Sequence, residues 1–293
     1  MTGENLKLAA LAFDLRKFIV DMIVEAKAGH IGGDMSVLEI LMTIYMKQMK
    51  VDVNRPDDPN RDRFVMSKGH SVEAYYAVLA EMGFIDKEEL LNTFSKFGSK
   101  FIGHPNNEVP GIEMNSGSLG HGLPVAVGMA LAGKRDKAPY RVYVVIGDGE
   151  LAEGSIWEGF MAAHQYKLDN LCAVIDRNKL QISGPTEDVM SQEVLIDRLK
   201  SFGWNVINIE DGNSIEELDR GFELAKTVKG KPSVLVANTI KGFGATIMEN
   251  KADWHHKVPT PEQYESIISE FEDRKAKILS QAETVAVKEE ETE

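Results

Sequence analysis

Short runs of apolar and β-branched residues recur along this chain, and each is followed by a stretch with helical spacing. The clearest run, 141–146, is apolar at consecutive rather than alternate positions, the pattern of a strand covered on both faces. Residues 171–175 repeat it, and 63–66, 205–209 and 233–237 read as further strands. Between them, Leu8, Leu11, Leu15, Phe18, Ile19 and Met22 recur at helical spacing within 6–27. Ser36 and Glu39 read as an N-cap and N3 pair for a helix over 36–47, and Asp86 with Glu89 for one over 86–97. Helices are also expected over 72–82, 117–132, 155–166, 189–202, 214–228 and 261–279. This alternation specifies an α/β fold, a doubly wound, mostly parallel sheet with helices on both faces. Residues 1–280 are expected to form that domain, and 281–293, almost wholly charged from 288 onward, a frayed and disordered tail.

Composition removes several classes of function. With 33 Lys and Arg against 46 Asp and Glu, the net charge is −13 and no basic stripe is present, so nucleic-acid binding is not expected. No apolar run approaches the ~18–20 residues that cross a bilayer. The first residues, with Glu4, Lys7 and Asp14, have no signal-peptide core. A single cysteine, Cys172, excludes a disulfide framework and fits a reducing cytoplasm.

Open parallel sheets bind ligands beyond the carboxyl ends of their strands, so the turns after the strands hold the chemistry. The strand at 141–146 stops at Gly147-Asp148-Gly149-Glu150, where two glycines let a ligand approach the backbone around one carboxylate. The next strand ends near Asn178, 30 residues after Asp148, which brings both side chains to the same sheet edge. An acid, an amide oxygen and a nearby carbonyl are hard oxygen ligands of the kind Mg2+ shares with phosphates. Taken alone, Gly-Asp-Gly is a common turn, and Asp148 could simply cap the helix behind it.

Gly147-Asp148-Gly149 followed by Asn178 resembles the shared motif of thiamine-diphosphate enzymes. Further segments narrow the resemblance to transketolases. In order, they are Ala28-Gly29-His30, Ser67-Lys68-Gly69-His70, Gly103-His104-Pro105, Ser116 through Gly122, Glu153 through Glu158, and Trp254-His255. The matches span about 6–255 and correspond to the diphosphate-binding part of a chain about twice as long. The resemblance therefore implies an N-terminal subunit of a split transketolase, working with a separate C-terminal subunit that carries the pyrimidine-binding half and its essential glutamate. It implies an α2β2 heterotetramer with sites at the interfaces, moving a two-carbon ketol unit from an anionic ketose to an aldose.

The same resemblance implies roles for individual residues. Asp148, Asn178 and the Leu180 carbonyl would hold Mg2+ or Ca2+ against the diphosphate, with the Gly149 N–H donating to a phosphate. His70 would donate to the diphosphate, Gly117 and Leu119 would touch the two cofactor rings, and His255 would lie near the diphosphate and the reacting carbonyl oxygen, with the adjacent His256 an alternative in register. His30 would contact substrate and cofactor, and His104 would hydrogen-bond the hydroxyls of the donor sugar. Glu153 and Glu158 would join a chain of acids between paired active sites, some sharing protons. His121 stands where the family carries glutamine. Lys241-Gly242-Phe243-Gly244 reads either as a loop over the site or as a plain strand-end turn. Other thiamine-diphosphate enzymes, such as a deoxyxylulose-phosphate synthase or the alpha chain of a 2-oxo acid dehydrogenase, are the alternative class. They are not expected to carry His30, His70 and His104 in these contexts. A non-catalytic regulatory half is the other alternative.

Overall fold

The computed structural model describes residues 2–290, with 286–290 described by their backbone alone. Helices α1 (Gly3–Ala26) and α2 (Ile31–Thr43) come first, and α2 closes in a π-helical turn, Ile44–Gln48. Strand β1 (Arg63–Met66) leads to α3 (Val72–Met82) and α4 (Lys87–Thr93). A long glycine-containing loop then enters α5 (Gly122–Asp136). Next come β2 (Val142–Gly147), α6 (Gly154–Gln165) and β3 (Leu171–Arg177). A small hairpin, β4 (Leu180–Gln181) with β5 (Gly184–Pro185), precedes α7 (Thr186–Val189) and α8 (Leu195–Ser201). Strand β6 (Asn205–Ile209), α9 (Ile215–Thr227), β7 (Ser233–Asn238) and α10 (Pro261–Glu290) complete the chain.

The five main strands form one sheet in the order β1-β2-β3-β7-β6, and every pairing is parallel. Alternate residues of the central strands supply two separate cores. Tyr143, Val145, Cys172, Val174 and Leu235 face α1, α2, α3 and α9, while Val142, Val144, Ala173, Ile175 and Val236 face α5, α6 and α8. Both faces are therefore dry, which is why these strands read as unbroken apolar runs. Cys172 is a buried core residue.

Helix α4 ends at Thr93 rather than near 97, and α5 runs over Gly122–Asp136 rather than 117–132; three further boundaries differ, each for a physical reason. Helix α2 starts at Ile31, with His30 at the N-cap, so Ser36 lies inside the helix rather than capping it. The hydroxyl of Ser36 instead donates to Asp176 Oδ2 at 2.7 Å. Every residue of α2 is buried, and a Cβ on Gly32 would stand 2.5 Å from the Trp254 carbonyl oxygen, so glycine inside this helix permits close packing. The helix expected over 189–202 is split into α7 and α8. Between them, the Glu187 carboxylate accepts the Gln192 N–H and the Ser191 hydroxyl, offering the chain an alternative to the helical ladder. Helix α10 continues to Glu290 rather than stopping near Leu279. The expected tail from 281 is thus helical to 290, and its last residues, 291–293, lie outside the described residues.

Candidate active site

Parallel pairing places the carboxyl ends of β1, β2, β3 and β7 side by side. A cavity of about 270 Å3 opens there, lined by residues from all four turns, including Lys68, His70, Gly117, Leu119, Asp148, Gly149, Asn178, Leu180, Lys241 and His255. Eight residues singled out in the sequence thus share one cavity.

The turn after β2 is tied to that after β3. Asp148 Oδ2 accepts the Lys179 N–H at 2.5 Å, and Oδ1 accepts the Gly149 N–H at 2.8 Å. In this arrangement the Gly149 N–H, expected to serve a phosphate, is taken by Asp148. Asp148 does cap a turn, the short 3-10 segment Gly149–Ala152. Burial, aided by the Asp176 carboxylate, pushes its carboxyl up to about 6. Asn178 Oδ1 accepts the Leu180 N–H at 3.1 Å, and the Leu180 carbonyl accepts from Lys241 Nζ at 3.1 Å. The carboxylate, amide and carbonyl thus crowd one corner of the cavity. Among the described residues there is no group of three or more His, Cys, Asp or Glu side chains arranged for a metal. A cation held at this corner would need oxygens from its ligand as well.

Two lysines that the sequence motifs contain, but to which no individual role was given, shape the electrostatics. Lys68, buried after β1, donates to Asp176 Oδ2 at 2.5 Å and to the Gly33 carbonyl at 3.3 Å. Burial alone would raise the Asp176 carboxyl. The Lys68 ammonium, with hydrogen bonds from Lys68, Thr239 and Ser36, holds it below the ordinary range instead. Lys241 is also buried, but among the described residues it forms no ion pair. Burial and the Lys68 charge lower it to about 8. Its second hydrogen bond, 2.8 Å long, is to His255 Nδ1. An ammonium can only donate, so Nδ1 accepts and neutral His255 carries its proton on Nε2. A buried ammonium without a direct ion pair, offset only at longer range by Asp176 and Asp148, fits an anionic ligand such as a metal-bound diphosphate.

Five histidine rings gather at the cavity mouth. His30 lies 4.7 Å from His256, 5.4 Å from His70, 5.9 Å from His255 and 6.2 Å from His104, measured between ring centroids. His70 stacks on His255 at 5.4 Å. Burial lowers His30 to about 4 with help from His256 and His104, and His255 to about 3 with help from Lys241 and His30. Burial also holds His70 well below its ordinary value and His104 below it. These four rings are therefore neutral near pH 7, able both to donate and to accept. His256, an alternative to His255 in the sequence, joins the cluster without lining the cavity.

Glu150, likewise in a sequence motif but without an individual role there, anchors the glycine turn. Its Oε1 accepts from Ser67 Oγ at 2.5 Å and from the Gly120 N–H at 2.8 Å, while Oε2 accepts the Gly147 N–H at 3.1 Å. Gly117 has φ +149°, and a Cβ there would lie 2.9 Å from His104 Cδ2, so the bare backbone is what lets His104 approach. His121 is exposed, with its Nδ1 3.1 Å from the Leu119 carbonyl oxygen. Glu153 and Glu158 are not brought into the cavity. Both are exposed near the start of α6, and Glu158 borders a shallow apolar depression with Met161, Tyr166 and Phe202. The 241–244 segment is a packed turn, with the Gly242 N–H donating to the Gly32 carbonyl and the Phe243 carbonyl accepting from Arg16 Nε.

A parallel sheet with an oxygen-donor corner, a buried lysine without an ion pair and neutral histidines at its carboxyl edge fits a diphosphate-cofactor enzyme. The family model for the transketolase thiamine diphosphate binding domain matches residues 9–267. One of the subunits of the apulose-4-phosphate transketolase of Phocaeicola vulgatus is 52% identical over 263 residues, covering 90% of this chain and 93% of the relative. The 6-deoxy-6-sulfo-D-fructose transketolase subunit SqwG of a Clostridium species is 41% identical over 273 residues, covering 93% and 98%. The transketolase structure from Leishmania mexicana superposes with a TM-score of 0.82 at 27% identity, covering 95% of this chain but 46% of its own. The chain thus spans less than half the length of that single-chain relative. The chain belongs to the transketolase family, as a thiamine-diphosphate-binding, N-terminal subunit of its split form.

Proposed function

We propose that this subunit joins a separate pyrimidine-binding subunit to move a two-carbon ketol unit from a phosphorylated ketose to an aldose. The observation that carries this reading is the shared corner of Asp148, Asn178 and the Leu180 carbonyl beside the buried Lys241 ammonium, which has no direct ion pair among the described residues. That corner fits a divalent cation with a diphosphate. Mg2+, or Ca2+ in its place, would be held by those three oxygens, with Lys241 and His70 facing the phosphates.

Thiamine diphosphate, when bound, supplies the electron sink that lets a carbon–carbon bond beside a ketone break. This chain's residues orient the substrate and handle protons. His255, with its proton on Nε2, is set to donate to the substrate carbonyl oxygen. Neutral His30 and His104 can each take a hydroxyl proton or return one. Gly117 and Leu119 present backbone and a half-exposed side chain to the cofactor rings. Glu153 and Glu158, exposed here, would meet acids of another chain in an α2β2 assembly. The lone buried Cys172 fits a cytoplasmic enzyme.

The donor we favour is apulose 4-phosphate, the sugar in the name of the 52%-identical relative. The two subunits together should be assayed with apulose 4-phosphate, xylulose 5-phosphate and 6-deoxy-6-sulfo-D-fructose. The reading expects the highest kcat/KM for apulose 4-phosphate. Preference for the sulfonated sugar would replace the substrate assignment, and no cleavage of any ketose would overturn the reading.

A further inference from the structure

Two carboxyl groups with no part in the roles above lie wholly buried behind the His30 ring. Asp34, one turn into α2, accepts the backbone N–H of Ala74 in α3 through Oδ1 at 3.1 Å. Glu73, in the first turn of α3, accepts the backbone N–H of His30, the N-cap of α2, through Oε1 at 3.3 Å. Each acid therefore reaches across to the other helix. The remaining oxygens, Asp34 Oδ2 and Glu73 Oε2, are buried without a donor among the described residues, and the two acids are drawn together because Asp34 holds the N–H of Ala74, the residue after Glu73. Neither forms an ion pair among the described residues. Two ionised carboxylates close together in a dry interior repel strongly. One proton between them removes the repulsion and makes one orphan oxygen a donor and the other an acceptor. The positive ends of α2 and α3 favour the single negative charge that remains. The turn before His30 rests directly on this pair, since a Cβ on Gly29 would lie 2.7 Å from Glu73 Oε1.

We propose that Asp34 and Glu73 share one proton and act together as positioning residues, fixing His30 at the cavity through its backbone. This rests on the reading of His30 as a substrate-facing group. Neither acid touches the cavity. Burial raises both carboxyls well above the ordinary range, in keeping with a retained proton.

The test uses the assembled two-subunit enzyme with thiamine diphosphate and Mg2+. Glu73→Ala should lower kcat about tenfold to hundredfold through misplacement of His30, with cofactor affinity near wild type. Glu73→Gln should recover most of that loss, because its amide supplies the hydrogen to Asp34 while its oxygen still accepts from His30. Infrared spectra of this chain at neutral pH should show a protonated-carboxyl band that both Asp34→Asn and Glu73→Gln remove. A band that survives Asp34→Asn, a Glu73→Gln variant as impaired as Glu73→Ala, or an undiminished kcat in Glu73→Ala would each overturn the proposal. Should Glu73→Ala fail to fold, the isosteric variants carry the test. If the wild-type assembly cleaves no ketose, the functional reading fails, and the infrared comparison still decides whether the proton is shared.

Discussion

Asp148 is the side chain on which the proposed cation site depends, because it supplies the carboxylate oxygens of that corner. Asp148→Ala should abolish metal-dependent binding of thiamine diphosphate by the assembled enzyme, as read by titration calorimetry, and unchanged affinity would remove Asp148 from the metal set. His104 makes the opposite prediction. It meets His30 at the mouth and does not line the diphosphate side of the cavity. His104→Ala should therefore raise the donor KM or lower kcat by ~10-fold or more, in the range of a lost acid–base or positioning group, while cofactor affinity holds. A collapse of cofactor affinity would contradict this role. The neutral histidines also leave a mark on stability. His30 is held to about 4 against an ordinary 6.5, first by burial and then by His256 and His104. Between those values the unfolded chain binds more protons than the folded one. The stability contributed by keeping His30 neutral is thus complete above about 6.5 and is lost as pH falls through about 4. Chemical denaturation at a series of pH values should show stability declining across that window, and His30→Gln should flatten the decline. That Asp148, Asn178, Leu180, His70 and His255 share one cavity was legible in the sequence because they stand in recognisable turns. Lys68 and Lys241 stood in those same turns, but whether either had a carboxylate partner depended on Asp176 in another strand. The partnership of Asp34 with Glu73 spans two helices, and no local pattern announces it.

At the scale of elements, the sheet was the most readable part. Strands β1 and β6 fall where the sequence placed them, and β2, β3 and β7 differ by one or two residues, since strands covered on both faces must be continuously apolar. Strand order was not readable, because nothing local places β7 between β3 and β6. Helices were misread where a tertiary contact overrides local preference, as at Gly32 in α2 and at the Glu187 side chain between α7 and α8. The turn before α5 offers a test of packing. Gly117→Ala adds a Cβ 2.9 Å from His104 Cδ2 at a φ that favours glycine. It should cost more than about 1 kcal/mol, a Tm decrease of roughly 2–4 °C or more for a chain of this size, with kcat falling as His104 is displaced. A variant with wild-type Tm and kcat would show that the turn tolerates a side chain.

For the molecule as a whole, the proposed partner subunit needs a surface on which to dock. Leu119, Val125, Met161, Tyr166 and Ile182 are exposed large apolar residues carried by the loop before α5, by α5 and α6, and by the hairpin after β3. Where such residues lie together they mark contact surfaces. A partner that binds the folded chain stabilises it by mass action, so its Tm should rise with partner concentration. A Tm independent of the partner would argue against assembly. The most direct measurement is affinity purification of the tagged chain from its own host, followed by native mass determination and a thiamine-diphosphate assay. The account predicts a stoichiometric second chain, with cofactor and a divalent metal retained and ketol transfer by the purified complex. Recovery of this chain alone, without cofactor and without a second subunit, would contradict it.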